Sequence, residues 1–350
     1  MNLRGSCAKS IAWLGVAICI GWTPGASSQA PSLYTQGQQA FSEKRYAEAA
    51  KLFAGSAAAG EQKSDANAAD ALLMEGKSLI NVEDFAGAEE ALRTYAQQDV
   101  RSSAALYLLG YVLQRENRPR ESLEVFTRAA AIAPPLANDL KIVALDYVLI
   151  NDYPDAIHWL TKAVEADPKN AEAWYDLGRS QMNQGDFVAA EQAFNRVLAL
   201  APQDVKALNN LGLAYEAQNR IPDALRAYKS AIASQREAAH PSEQPLLNYG
   251  TLLISQNRTG EAIAALEPAV KIAPKDAKCH EALSRAYLRA GRLAEARRQM
   301  EDAVAFDPEN PRLHYQLGHL YRQSGMADRA KAELDLSAKL YGSHSTPDKK

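Results

Sequence analysis

Few residues in this chain could do chemistry, and their spacing decides which chemistry. His314 and His319 stand five apart on one helical stretch, so they point to different faces and miss the i, i+4 arrangement of a metal-binding pair. Cys279 and His280 are sequence neighbours. A thiolate–imidazole pair needs facing side chains, and adjacent helical residues diverge. The sequence contains no phosphate-binding glycine loop, no nucleophile elbow and no paired cysteines for zinc. Its carboxylates are scattered over helix faces without convergence. Asn257, Arg258 and Thr259 match a glycosylation acceptor, a pattern short enough to arise often by chance. We therefore expect no enzyme, no metal and no cofactor. Binding chemistry is better supplied. Arg179, Lys278, Arg285 and Arg289 offer cations, and Asn209, Asn210 and Asn248 offer amides for a backbone or a carboxylate. Tyr107, Leu108, Tyr111, Leu145 and Val148 offer apolar area.

These residues need a framework, and composition points to helices. Ala, Leu, Glu, Gln, Lys and Arg dominate, and β-branched residues are sparse. The net charge of −3 argues against a nucleic-acid binder, which would carry a basic excess. The framework is periodic, with self-similarity at 34 residues. Trp174, Leu177 and Gly178 align with Leu208, Leu211 and Gly212, and Ala190 and Phe194 align with Ala224 and Tyr228. The same frame catches Leu140, Tyr147, Ala156 and Leu160, then Leu283, Tyr287, Ala296 and Met300, then Leu317, Tyr321, Ala330 and Leu334. Apolar residues recur at three- and four-residue intervals in two runs per copy, which implies two amphipathic helices. Gly110, Gly178, Gly212 and Gly250 at the eighth position, and Ala49, Ala88, Ala190 and Ala262 at the twentieth, let the two helices approach. Gly185, Gly291 and Gly325 fall between the helices as left-handed residues. Pro134, Pro168, Pro202, Pro274 and Pro308 stop second helices, and Pro154 and Pro222 open them. Pro268 falls inside a second helix and should bend it.

This pattern resembles the tetratricopeptide repeat. The resemblance implies an all-α, right-handed superhelical solenoid of about nine helix-turn-helix repeats. Copies are expected near 30–63, 69–102, 103–136, 137–170, 171–204, 205–238, 243–276, 277–310 and 311–341, with short insertions around Ser64–Ala68 and Ala239–Ser242. Residues 342–350 would form a short disordered tail. The resemblance also places the second, fifth, sixth, ninth, twelfth and thirteenth positions of each copy in a concave groove. The groove would be apolar in its N-terminal half, at Tyr107, Leu108, Tyr111, Leu145 and Val148. It would be polar and basic in its C-terminal half, at Arg179, Asn209, Asn210, Asn248, Lys278, Arg285 and Arg289. Asn210 and Asn248 share a column, and some longer members of the family use such asparagines as a ladder for peptide backbones. The family's two-carboxylate clamp is excluded, because Asn248 and Lys278 match single elements while Leu213 and Ala282 stand where Asn and Arg are required.

The start of the chain differs from the rest. Arg4 and Lys9 are followed by an apolar run from Ile11 to Trp22, then by Pro24, Gly25 and small residues from Ala26 to Ser28. That layout predicts a signal peptide over 1–28, export to the periplasm or beyond from a bacterial host, and no permanent membrane span afterwards. Cleavage would leave Cys279 without an internal disulfide partner. The expected function is a protein-interaction scaffold holding a partner segment in the groove. The alternative is a carrier or sensor of a small amphiphile or glycan in the apolar half. Leu336 and Leu340 would stay exposed on the last repeat and favour self-association.

Overall fold

The computed structural model describes residues 32–61 and 67–344, so the expected signal peptide lies outside the described residues. Every regular element among them is a helix, and first and second helices alternate. In chain order they are α1 (Leu33–Ser42), α2 (Tyr46–Glu61), α3 (Asn67–Asn81), α4 (Phe85–Gln98), α5 (Ser103–Arg115) and α6 (Pro119–Ala130). Next come α7 (Ala137–Leu149), α8 (Tyr153–Ala166), α9 (Ala171–Gln184), α10 (Phe187–Leu200), α11 (Val205–Ala217) and α12 (Ile221–Ser234). The remainder are α13 (Gln244–Ser255), α14 (Thr259–Ile272), α15 (Ala277–Arg289), α16 (Leu293–Phe306), α17 (Pro311–Gln323) and α18 (Ala327–His344). The chain divides into two compact units, one ending at Val82 and one beginning at Glu83. α1 to α3 belong to the first unit, and α4 to α18 to the second.

In the first unit Gly37 lets α1 lie against Phe53 of α2, and a Cβ on Gly37 would stand 2.8 Å from that ring. Tyr34 meets the same ring edge-on at 5.6 Å. Ala40, Ala49 and Phe53 are completely buried.

The second unit repeats this seam. A Cβ on Gly110 would stand 2.6 Å from Phe126, one on Gly178 2.7 Å from Phe194, and one on Gly250 2.5 Å from Leu266. Gly212 is equally close to Tyr228. Glycine is therefore required here by close approach of the partner side chain. The side chains it admits are fully buried, and each stabilises the stack by roughly 1.5–3 kcal/mol. Ser122 and Ser284 replace small residues at this seam and stay satisfied. Ser122 lies 2.8 Å from the Gly110 carbonyl, and Ser284 donates to the Ala296 carbonyl at 2.6 Å.

Turn chemistry fixes the entry to each helix. One residue of positive φ stands between each first and second helix. It is glycine at 185, 291 and 325, and Lys44, Glu83, Asn117, Asn151, Asn219 or Asn257 elsewhere. Ser102, Asn170, Asp204 and Asp276 cap first helices by accepting a backbone N–H through the side chain. The insertion before α13 is pinned by buried Gln235, which donates to the Ser242 carbonyl at 2.6 Å and accepts the Ser242 N–H at 2.9 Å. α14 continues through Pro268 from Thr259 to Ile272. α18 runs to His344, past the point at 341 where the array was expected to end, and residues 345–350 lie outside the described residues.

Candidate functional site

The twelve candidate side chains all lie in the second unit, on first helices. None of them is buried. Arg179, Lys278, Arg285 and Arg289 are exposed, and the other eight are half-buried. The fold uses different columns for its core.

Their partners divide them into groups. On α5, Tyr107 turns onto α6 and the turn that follows it. Its hydroxyl donates to the Ala133 carbonyl at 2.6 Å, and its ring lies 5.8 Å from Phe126. It lines a cavity of about 250 Å³ with Phe126, Tyr147 and Trp159. Burial raises the Tyr107 phenol above its ordinary value. The Tyr111 hydroxyl accepts from Arg115 at 3.0 Å. Leu108, Leu145 and Val148 stay half-exposed on α5 and α7. Leu145 borders a second cavity, of about 430 Å³, shared with Lys141, Tyr175 and Asp176.

The asparagines are engaged within the protein. Asn210 donates to the Tyr175 hydroxyl at 3.0 Å and to the Lys206 carbonyl at 2.8 Å. Asn248 donates to Asn209 Oδ1 at 2.9 Å. The two column-mates Asn210 and Asn248 therefore serve separate contacts. Each ties adjacent first helices, α9 to α11 and α11 to α13.

Of the cations, Arg179 lies 6.0 Å from the Tyr175 ring centre, and Arg289 donates to Asn257 Oδ1 at 2.9 Å. Arg285 borders a third cavity, of about 290 Å³, with Leu288, Met300, Tyr315, His319 and Leu320. The candidate set omits Leu288 and Tyr315, yet both are exposed, at 39% and 51%. A sequence signal for Tyr315 existed. Tyr107 and Tyr175 occupy the same repeat position and lean on Phe126 and Phe194 of their own repeats. The corresponding partner of Tyr315 is Leu334, so its ring has no aromatic shelf. It lies 4.4 Å from the His319 imidazole instead.

Cys279, His280 and His314 are buried among structural contacts. Cys279 is buried, and burial pushes its thiol up to about 12, far from a neutral-pH nucleophile. His280 bonds Gln299 at 2.9 Å and the Pro274 carbonyl at 3.1 Å. His314 repeats the arrangement with Glu333 at 2.6 Å and the Pro308 carbonyl at 2.8 Å. Trp174, at the same repeat position, donates to the Pro168 carbonyl at 3.0 Å. Ring nitrogens at this position thus pin the turn that enters the repeat. Among the described residues, no three His, Cys, Asp or Glu side chains gather into a metal-holding group, and no helix is long and apolar enough to cross a membrane.

Comparison with known proteins agrees with this architecture. Part of the chain, over 237 residues, is 26% identical to protein FlbA of Caulobacter vibrioides, covering 57% of this chain and 39% of FlbA. It is 28% identical over 235 residues to cellulose synthase operon protein C of Xanthomonas axonopodis pv. citri, covering 63% of this chain and 15% of that protein. The chain thus matches well under half the length of these relatives. The C-terminal part of a TPR repeat-containing protein from Cytophaga hutchinsonii superposes with a TM-score of 0.59 at 18% identity, over 71% of this chain and 99% of that one, which speaks to fold alone. Family models described as tetratricopeptide repeat match residues 73–137, 144–205, 175–243, 209–277, 253–307 and 287–341. With the repeated glycine seam and its alternating helices, the chain belongs to the tetratricopeptide-repeat family.

Proposed function

We propose that this chain is a non-catalytic scaffold that holds a segment of a partner protein along the first helices of its second unit. The observation that carries this reading is the burial pattern. The seams of the second unit are buried, yet all twelve candidate side chains keep contact with solvent, apolar Leu108, Leu145 and Val148 included. Half-exposed apolar groups beside unburied arginines offer a partner both area and charge. Engagement of Asn210 and Asn248 within the protein moves the expected contact from an amide ladder to the apolar and cationic positions. The basic start and short apolar run before Ser28 support export to a periplasmic or extracellular space.

The test is a crosslinking pull-down from the native envelope. The parent is compared with Leu108→Glu/Val148→Glu and with Arg285→Glu/Arg289→Glu, each checked by circular dichroism. Loss of one specific protein with either pair, the fold intact, supports the scaffold and identifies its working stretch. Retention of every captured protein with both pairs refutes it.

One observation favours a second reading, a carrier of a small amphiphile. The cavity of about 250 Å³ at Tyr107, Phe126, Tyr147 and Trp159 is of a size that takes a small apolar ligand. Mass spectrometry of gently purified protein decides it. A stoichiometric small molecule released on denaturation, and lost in Trp159→Ala, establishes the carrier.

A further inference from the structure

Several arginines of the second unit are neutralised locally. At four turns an arginine pairs with an acid three residues on. Arg118 meets Glu121 at 2.7 Å, Arg220 meets Asp223 at 2.9 Å, Arg258 meets Glu261 at 2.7 Å and Arg292 meets Glu295 at 2.9 Å. The first helices α15 and α17 break this habit. Together they carry Lys278, Arg285, Arg289, Arg312 and Arg322, all exposed, against one carboxylate, Glu281. Glu281 is buried and already held by Arg312 at 2.6 Å and Gln316 at 3.1 Å. Among the described residues, no carboxylate lies within 4.0 Å of the charged nitrogens of Lys278, Arg285, Arg289 or Arg322. The hydrogen-bond partners of Arg289 and Arg322 are Asn257 and the His319 ring, neither of them a carboxylate. This concentration of positive charge lies in a chain whose net charge is −3.

The same two helices border the cavity of about 290 Å³. Sequence explains why it is there. Where other repeats pair a tyrosine with a phenylalanine across the seam, this one has Glu281 and Met300, and the next has Tyr315 and Leu334. Leu288, Met300 and Leu320 supply apolar wall, while Arg285 and His319 supply polar edge. There is room for a single leucine, methionine or phenylalanine side chain. The cations do not converge on one point. Lys278 to Arg289 runs about 16 Å along α15, the reach of about five extended residues.

We propose that this cleft docks an extended acidic segment of a partner protein, with one bulky apolar side chain in the cavity and its flanking carboxylates on the α15 and α17 cations. The length of the cationic strip selects a run of side-chain carboxylates over a lone chain terminus. The proposal rests on the scaffold reading and names the chemistry of the partner.

The test is fluorescence anisotropy on the full chain with three dye-labelled, end-blocked peptides. One has a central phenylalanine between pairs of glutamates. One replaces the phenylalanine with alanine, and one replaces the glutamates with lysines. The first should bind saturably, about tenfold or more tighter than either control, and weaken as salt rises from about 50 to about 200 mM. Arg285→Glu and Tyr315→Ala, both at exposed positions, should each weaken it about tenfold or more, while Val188→Glu, exposed on α10 and outside the candidate set, leaves it unchanged. Equal binding of the lysine or alanine peptide, indifference to Arg285→Glu, or no saturable binding up to about 1 mM overturns the proposal. If it falls while the pull-down still loses a protein with Leu108→Glu/Val148→Glu, only the cleft assignment is wrong. If the pull-down also loses nothing, the scaffold reading falls with it.

Discussion

Asp146 is a carboxyl group at a repeat position that elsewhere holds Ser180, Ala214 or Ala286. It is completely buried on α7. Its Oδ2 lies 2.5 Å from Ser122 Oγ, and that oxygen lies 2.8 Å from the Gly110 carbonyl. One hydroxyl hydrogen shared between two acceptors serves each poorly. A proton on Asp146 resolves the conflict, the carboxyl donating to Ser122 and Ser122 donating to Gly110. Burial pushes the Asp146 carboxyl up to about 7 against the opposing pull of the Ser122 hydroxyl, so the proton is retained into the neutral range. The folded chain binds this proton more tightly than the unfolded chain, where aspartate titrates near ~3.9. Its contribution to stability is therefore complete below about pH 4 and is lost as pH rises through about 7. Asp146→Asn carries its donor permanently. It should be more stable than the parent by about 1–3 kcal/mol near pH 8, and the gap should shrink near pH 5. Urea denaturation at both pH values measures this. The same gap at both would mean that Asp146 is not the titrating group.

At the scale of the helix pair, the glycine seam sets stability. Gly178 is the clearest position, because Phe194 is fully buried and has nowhere to move. A Cβ at 178 would stand 2.7 Å from Phe194 Cε1. Gly178→Ala should therefore destabilise the second unit by about 1–3 kcal/mol despite alanine's better helix propensity. Gly260→Ala in α14 is the control, since nothing lies within 4 Å of its Cβ, and its melting temperature should stay close to the parent's. A cooperative melt of Gly178→Ala at the parent temperature would refute the steric account. This seam was legible in the sequence because it is periodic. A small residue at one fixed position faces a large one sixteen residues on. The turns were only partly legible. Gly185, Gly291 and Gly325 announced themselves, but Lys44, Glu83 and four asparagines adopt the same positive φ. There the bonds closing the turn impose the conformation, whatever the side chain. The asparagine contacts were not legible. Whether Asn248 reaches Asn209 depends on how adjacent first helices stack, and a 34-residue period does not record that.

At the scale of the whole chain, repeats bury their apolar faces on their neighbours, so a helix whose outer face no described neighbour covers needs an explanation. α18 packs on α17, and no later helix among the described residues covers it. It is 18 residues long, against 10 to 16 for the others. Leu336 is 38% exposed on it and Tyr341 53%. The charged residues Lys331, Asp335 and Lys339 share the helix and limit the apolar patch. Two partly exposed side chains offer far less than the roughly 1,200–2,000 Å² of a stable interface. The physical expectation is weak, reversible self-association through α18, visible only at high protein concentration. Sedimentation velocity should show the average mass rising as concentration increases from about 10 to about 500 μM. Leu336→Glu/Tyr341→Glu should hold the chain monomeric over that range without altering its helical content. A parent that stays strictly monomeric would show that the charges on α18 already suffice to keep its outer face in water. An increase in mass that survives the double change would place the contact elsewhere on the chain.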